Sequence, residues 1–182
     1  NIGLASSPLL PEEDGGACQQ NFAILMTDGF WNGEESPQVG NQDQIVDSKY
    51  VYPAHLDSNV PPILDSNAIA ALESKNQLED VYKGSNTLAD VAMKWYKTDL
   101  APSYPPLVPV QSENETETEN LDQNDDQHLV TFGVSLGVKG DIKHNPTDRE
   151  KTFKWPRPVP GTTSTIDDLR HAAYNGRGGF HL

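Results

Sequence analysis

Basic residues and long apolar runs are scarce in this sequence. Lys and Arg number 13 against 27 Asp and Glu, and the formal net charge at pH 7 is −14. Phosphates would be repelled by such a chain, which argues against sequence-independent binding of nucleic acid or of an anionic membrane surface. No apolar stretch approaches the length of a bilayer-spanning helix, and the amino terminus has neither an initiator Met nor a basic signal region. We therefore expect no nucleic-acid partner, no membrane span and a cation as the natural partner.

Cysteine is almost absent, and the histidines are scattered. Cys18 is the single cysteine, so it is either a free thiol or half of a bridge to residues outside this sequence. The chain has no H-x-x-x-H or C-x-x-C spacing, which argues against a zinc site. We expect a packed or capping role for His171. The histidines are His55, His128, His144, His171 and His181.

The length of 182 residues suits one domain, which we place over residues 1–182. Residues 1–20 are small, polar and turn-rich, and should form a surface lead-in to the first strand. Residues 30–62 carry Gly, Pro, Asn and Asp at short intervals, which predicts a long loop. The segment 65–74 is compatible with a short helix.

The stretch FAILMTDGFWNG, residues 22–33, places one carboxylate after an apolar run. Residues 22–26 predict a strand covered on both faces, as in the parallel sheets of α/β proteins. Asp28 then lies at the carboxyl end of this strand, where open α/β sheets bind ligands. Two interpretations stay open at this point. Asp28 is a metal ligand or catalytic carboxylate, or it is a turn residue that caps backbone N–H groups before Gly29.

The clearest helix pattern is TLADVAMKWYKT, residues 87–98. Thr87 and Asp90 approximate a capping box at its start. Its apolar residues at helical spacing form one stripe, which consists of Leu88, Val91, Ala92, Trp95 and Tyr96. We expect the aromatic pair of this stripe, Trp95 and Tyr96, in the core against the sheet. Lys94 lies off the stripe.

Residues 99–128 contain a proline-rich piece, SYPPLVPV, and an acidic low-complexity run, SENETETENLDQNDDQ. Such a composition buries little apolar surface, so we expect a mobile surface insertion, and removal of the acidic segment from Ser112 to Gln127 should change stability little. The acidic run lacks the pattern of a calcium-binding loop.

The remaining segments predict a strand, a helix and a further strand. Residues 129–136, within LVTFGVSLGV, alternate large apolar with small residues, which predicts a strand parallel to the first because the 87–98 helix lies between them. The segment TIDDLRHAAYNGRGGF predicts a helix with Thr165 as N-cap and Asp168 at N3. This helix should end at Asn175–Gly176 in a left-handed cap. We expect the helix to bury Ile166, Leu169 and Ala173. Residues 179–182 should form the strand that follows.

Four blocks of the sequence, taken in order, resemble a known family. They are CQQNFAILMTDGFWNG, TLADVAMKWYKTDL, HLVTFGVSLGVKGDI and IDDLRHAAYNGRGGFHL. Their order resembles the second half of a von Willebrand factor type A domain. The blocks themselves look like those of the type IV pilus-tip adhesin and biogenesis family, the PilY/PilC type. This resemblance implies a partial doubly wound, Rossmann-like α/β fold with a mostly parallel sheet and long loop insertions.

The resemblance also implies a metal site. In such A-type domains a divalent cation, usually Mg²⁺, is held by a D-x-S-x-S motif, a Thr of a later loop and the Asp of the TDG segment. Asp28 alone maps onto these ligands, because no D-x-S-x-S string occurs here. The implied site for Mg²⁺, Mn²⁺ or Ca²⁺ is therefore incomplete in this chain, and one carboxylate with water ligands binds Mg²⁺ only weakly.

A non-enzymatic adhesin domain at the cell surface, on a pilus tip or the outer membrane, is the function that the resemblance implies. Its partners would be minor pilins, host or surface ligands and the remainder of its own A-type domain, whose missing strands we expect before Asn1. Trp31 and Asn32 would shape the rim of the cation site. Two alternatives stay open: a secreted metal-dependent hydrolase using Asp28 with Asp43 or Asp47, and a structural pilus scaffold with an inactive metal site.

Overall fold

The computed structural model describes residues 7–32, 38–40, 42, 86–111, 121–143, 155–156 and 158–182. In this part of the chain three parallel strands form one sheet, side by side in sequence order, and two helices alternate with them along the chain. The α/β prediction is confirmed, as are its three strands. The predicted helix at 65–74 and most of the predicted loop at 30–62 lie outside the described residues. The elements are β1 (Asn21–Thr27), α1 (Leu88–Lys97), β2 (Leu129–Ser135), α2 (Ser164–Asn175) and β3 (Arg177–His181).

One face of the sheet carries several small residues, beside Leu25 and Leu129. In the register of β1 and β2, Ala23 stands beside Thr131 and Thr27 beside Ser135. On this same face a Cβ added to Gly133 would lie 3.1 Å from the Leu169 Cγ of α2. This is therefore the face on which the helices pack, and the small side chains let them approach the strands closely.

The other face carries large apolar side chains that we call the apolar sheet face. Its β1 members are 55%, 65% and 64% exposed, in chain order. The prediction that strand 22–26 is covered on both faces is wrong for the described part of the chain, where the helices cover only the small-residue face. The apolar sheet face consists of Phe22, Ile24 and Met26 of β1 and of the buried Val130 with Phe132 and Val134 of β2.

Helix α1 begins as predicted but turns a different side to the core. The Thr87 hydroxyl accepts from the Asp90 N–H and the Asp90 carboxylate accepts from the Thr87 N–H, which confirms the capping box. Trp95, however, is 41% exposed, so its predicted burial is wrong. The buried side is rotated by one residue, about 100° around the helix axis. It consists of Ala89, Asp90, Ala92, Met93 and Tyr96.

Helix α2 buries the predicted face but starts and ends differently. It begins at Ser164 with Thr163 as N-cap, so the prediction of Thr165 as N-cap is wrong. Ile166, Leu169 and Ala173 are buried as expected. His171 packs against Trp155, with the rings nearly parallel and their centroids 4.2 Å apart.

The chain leaves α2 through Gly176 and Arg177. Gly176 has φ −83°, and the left-handed residue is Arg177 at φ 58°. The predicted left-handed cap at Gly176 is therefore wrong by one residue. Gly176 provides space, because a Cβ there would lie 2.6 Å from the Thr131 Cβ of β2.

Residues 100–111 and 121–128 pair along their backbones, and we call them the paired arms. Asp122, Asn124 and Gln127 of the second arm are buried. The prediction of a mobile surface insertion over 99–128 is thus wrong for these residues, because they are buried and their side chains form hydrogen bonds inside the fold. Residues 112–120 lie outside the described part. Backbone N–H groups of the first arm donate to carbonyls of the second at Leu100–Gln127, Val108–Asp125 and Gln111–Asp122.

The described part of the lead-in packs against the paired arms. The Tyr104 hydroxyl donates to the Leu10 carbonyl at 2.9 Å, and the Gln127 amide donates to the Ala17 carbonyl. Two short 3-10 helices, Glu12–Asp14 and Gly16–Cys18, shape this segment, and the Cys18 thiol is free and exposed.

Candidate functional site

The carboxyl ends of β1 and β2 lie side by side. Thr27 pairs with Ser135, and the Leu136 N–H donates to the Thr27 carbonyl at 2.8 Å. Loops 28–32 and 136–142 leave the strands here. Together with the N-terminal ends of α1 and α2 they form a region that we call the carboxyl edge. It is the part of a parallel α/β sheet at which ligands usually bind.

Asp28 lies at the carboxyl edge, with its side chain exposed. Thr27 closes the turn in its place: its hydroxyl donates to the Gly29 carbonyl at 2.7 Å and accepts from the Gly29 N–H at 3.2 Å. The Asp28 carboxylate makes no hydrogen bond or ion pair within the described part of the chain. These contacts give no support to a turn-capping role for Asp28.

Trp31 and Asn32 lie in the same loop as Asp28. Trp31 is half-buried, and its carbonyl accepts from the Gly161 N–H at 2.7 Å. This bond fastens the loop after β1 to the segment that leads into α2. Asn32 is exposed, while Asp43 and Asp47 lie outside the described residues.

A cation at this edge would need more ligands than Asp28. Among the residues that the structure describes, no three His, Cys, Asp or Glu side chains stand close enough together to hold a metal ion. Mg²⁺ takes about six oxygen ligands in octahedral geometry. Asp28 therefore fits as one ligand of a larger set and does not make a site by itself.

Asp168 of α2 binds the N-terminal end of α1. Its two carboxylate oxygens accept from the Leu88 N–H at 3.0 Å and the Ala89 N–H at 3.2 Å. The negative charge thus satisfies free N–H groups at the positive end of α1. The prediction that Asp168 serves its own helix at N3 is therefore wrong, and its partners lie about 80 residues away.

Asp167 and Asp90 hold loops in the same manner. The Asp167 carboxylate accepts from the Asp141 N–H at 3.0 Å and the Ile142 N–H at 2.9 Å, which fixes the loop after β2. Asp90 accepts from the Gln42 N–H at 2.7 Å as well as from Thr87. Three buried aspartates at the carboxyl edge are thus engaged with backbone N–H groups, whereas the exposed Asp28 accepts no such bond from the described residues. The sequence places all three near helix starts but does not reveal these distant partners.

The sequence is similar to a segment of bacterial type IV pilus biogenesis factors. The type IV pilus biogenesis factor PilY1 of Pseudomonas aeruginosa strain UCBPP-PA14 is 31% identical over 190 residues, covering 90% of this chain and 14% of that protein. The chain is thus related to the PilY family. PilY1 of strain PAK is 28% identical over 184 residues, with the same coverage of both chains. The resemblance to the PilY/PilC type is confirmed.

This chain spans only 14% of the length of these PilY1 relatives. No family model and no solved structure gives a significant match to it. None of the helices in the described residues is long and apolar enough to cross a membrane.

Proposed function

We propose that this chain is a non-enzymatic binding domain of a cell-surface protein of the type IV pilus, and that it forms the carboxyl-terminal portion of a von Willebrand factor type A-like domain. The name of its PilY1 relatives, type IV pilus biogenesis factor, supports the pilus role. The parallel α/β order supports the domain type. Its proposed partners are minor pilins and host or surface ligands, at the pilus tip or outer membrane.

The observation that carries this proposal is the exposed Asp28 carboxylate at the carboxyl edge. Asp28 would supply one ligand to a divalent cation, Mg²⁺, Mn²⁺ or Ca²⁺, with the other protein ligands coming from outside the described residues. The bound cation would supply the positive charge with which a chain of net charge −14 attracts an acidic side chain of a partner. Trp31 and Asn32 would form the rim, and the buried Asp167 and Asp168 hold the surrounding loop and helix in place.

The test is cation binding by the complete polypeptide that contains this chain. Asp28→Ala should weaken the affinity for Mg²⁺ or Mn²⁺ in calorimetry and leave the circular dichroism spectrum unchanged. Asp14→Ala is the matched control, because Asp14 is also an exposed aspartate but lies on the lead-in. Equal cation affinity in the wild type and Asp28→Ala would show that Asp28 is not a ligand of the cation.

A structural pilus scaffold with an inactive metal site is the second candidate. It is favoured by the absence of a three-ligand cluster among the described residues and by the engagement of Asp90, Asp167 and Asp168 with backbone N–H groups. On this reading the complete wild-type polypeptide supports pilus assembly but binds no Mg²⁺ in calorimetry. The hydrolase alternative, with Asp43 or Asp47 beside Asp28, requires a hydrolytic activity that is lost on chelation.

The remainder of the A-type domain is the third proposed partner. Phe22, Ile24 and Met26 are large and mostly exposed, and no described strand pairs with the outer edge of β1. Exposed apolar patches and free strand edges of this kind mark interaction surfaces. We propose that other parts of the complete polypeptide cover these apolar side chains and pair with the free edge of β1.

A further inference from the structure

A buried polar cluster joins the second paired arm to α1. Tyr96 of α1, Asp122 of the arm and His128, which directly precedes β2, are all buried. The Tyr96 hydroxyl donates to Asp122 Oδ1 at 3.1 Å, and the Asn124 side-chain amide donates to the Tyr96 carbonyl at 2.7 Å. The cluster lies where β2 begins, whereas Asp28 lies where β1 ends. It therefore takes no part in the proposed cation site.

Both ring nitrogens of His128 face acceptors. Nδ1 lies 2.7 Å from the Asp126 carbonyl oxygen, and Nε2 lies 2.9 Å from Asp122 Oδ2. A carbonyl oxygen and a carboxylate oxygen can only accept, and a neutral imidazole has a single N–H to donate. Both contacts are satisfied at once only when both nitrogens carry protons. The geometry thus corresponds to an imidazolium ion paired with the Asp122 carboxylate.

The charged and titratable groups around His128 agree with this assignment. Burial lowers the pKa of His128, but the hydrogen bonds to Asp122 and Asp126 and the charges of these two residues outweigh it, so the pKa is raised above 6.5. Burial and the charge of Asp122 raise the pKa of Tyr96, which keeps its hydroxyl a neutral donor. From β3, the Arg177 guanidinium lies over the Tyr96 ring, 5.3 Å from its centroid. The positive charge of Arg177 therefore also faces the cluster.

We propose that the His128–Asp122 pair, which lies within the second paired arm, is a pH-sensitive latch that holds Asp122 in place to accept from the Tyr96 hydroxyl of α1. A group whose folded pKa is raised stabilises the fold fully below its unfolded pKa, near 6.5 for His, and this contribution is lost as the pH rises through the folded pKa. The latch is therefore closed below about pH 6.5 and loosens as the pH rises through the folded pKa of His128. When the ring loses its proton, a buried carboxylate oxygen of Asp122 loses its donor, which is costly.

Amide hydrogen exchange read by mass spectrometry tests the latch in the complete polypeptide. The readout is the protection factor of peptides from 100–111 and 121–128, which removes the intrinsic pH dependence of exchange. Between pH 5.5 and 9 we expect this protection to fall about tenfold for each unit by which the folded pKa of His128 exceeds its unfolded value. Peptides from α2 serve as the internal reference. A flat profile in the paired arms of the wild type overturns the proposal.

Two variants separate the latch from other titrations. His128→Gln keeps an N–H donor near Asp122 but cannot titrate, so the arms should lose this pH dependence, while His181→Gln, at an exposed histidine, should keep it. In Asp122→Asn the ring loses a carboxylate that raises its pKa, so the fall of protection with pH should be smaller than in the wild type. A wild-type pH profile in His128→Gln refutes the proposal. If either variant fails to fold, the wild-type profile still decides.

Discussion

Asp167 and Asp168 are neighbours in the chain but hold different parts of the molecule. Asp168 accepts two N–H groups at the start of α1, and Asp167 accepts two N–H groups of the loop after β2. Both carboxylates are buried and hydrogen-bonded, so each is stabilising only as long as its partners remain in place.

Replacing Asp168 should destabilise the fold through helix α1. Asp168→Ala leaves the Leu88 and Ala89 N–H groups without their acceptor, which should cost about 1.5 to 3 kcal/mol of unfolding free energy in urea denaturation. Asp168→Asn keeps one acceptor oxygen and should lose less. The exposed Asp14→Ala should stay within about 0.5 kcal/mol. If Asp168→Ala behaves like Asp14→Ala, the cap contributes nothing.

Gly176 should not tolerate a methyl group although its backbone angles suit any residue. Gly176→Ala would bring a Cβ to 2.6 Å from the Thr131 Cβ, and such overpacking costs about 1 to 3 kcal/mol. Gly29→Ala is the control, because a Cβ at Gly29 meets no atom within 4 Å. Thermal unfolding of the two variants should differ clearly. Equal melting temperatures would mean that β2 and the end of α2 can separate freely.

Single residues were predictable from the sequence where their role is local. The position of Asp28 follows from the apolar run before it and the glycine after it. The capping box of Thr87 and Asp90 lies within one helical turn. The partners of Asp168 could not be predicted, because they lie about 80 residues away and the chain fold alone brings them together.

At the level of the element, the buried side of helix α1 is rotated by one residue from the apolar stripe that the sequence predicts. The expected stripe and the observed one share Ala92 and Tyr96, and the large apolar Trp95 favoured the wrong choice between them. Contacts from α2 decide the rotation: Asp168 holds the first turn, and the Asn175 side chain donates to the Ala89 carbonyl at 3.2 Å. Helical periodicity locates a helix but does not contain these contacts.

The observed rotation of α1 predicts which core substitution is severe. Met93 is fully buried, so Met93→Ala should cost about 2 to 5 kcal/mol of unfolding free energy. Trp95 is 41% exposed, and Trp95→Ala should cost about 1 kcal/mol, although tryptophan is the larger residue. Chemical denaturation followed by circular dichroism measures both. A larger loss of unfolding free energy in Trp95→Ala than in Met93→Ala would show that the stripe expected from the sequence is the buried one.

The paired arms behave as one element, which a pair of linker replacements can test. Replacing residues 112–120 by a short Gly-Ser linker leaves the three backbone bonds between the arms in place, so the melting temperature should change little. Replacing residues 112–127 by the same linker removes the buried Asp122, Asn124 and Gln127 and should lower it strongly. Similar melting temperatures would show that the arms are dispensable.

For the molecule as a whole, the apolar sheet face should determine whether the chain aggregates in solution. Chain 1–182 alone should aggregate, because Phe22, Ile24 and Met26 are exposed beside an edge strand. Replacing these three by Thr keeps the strand propensity and should increase the monomer fraction in size-exclusion chromatography. In the complete polypeptide the same change should lower the melting temperature, because the proposed contact is lost.

A matched set of exposed apolar residues provides the control. Leu10, Leu107 and Val110 lie on the lead-in and the first arm, and their replacement by Thr should leave aggregation of the isolated chain unchanged. A soluble, cooperatively unfolding monomer of the wild-type chain would contradict the need for a cover. The sequence predicted the order of strands and helices from local patterns, but which sheet face is covered depends on packing between distant segments.

The reciprocal bonds between Gln111 and Asp122 make this point of the chain suitable for genetic labelling. The Gln111 N–H donates to the Asp122 carbonyl at 2.8 Å, and the Asp122 N–H donates to the Gln111 side-chain oxygen at 2.9 Å. With both ends held together, a longer insert costs only about 0.6 kcal/mol for each doubling of its length. The paired arms lead into the start of β2, away from Asp28 at the end of β1. A fluorescent reporter placed between residues 111 and 122 would thus label the protein and leave the carboxyl edge uncovered.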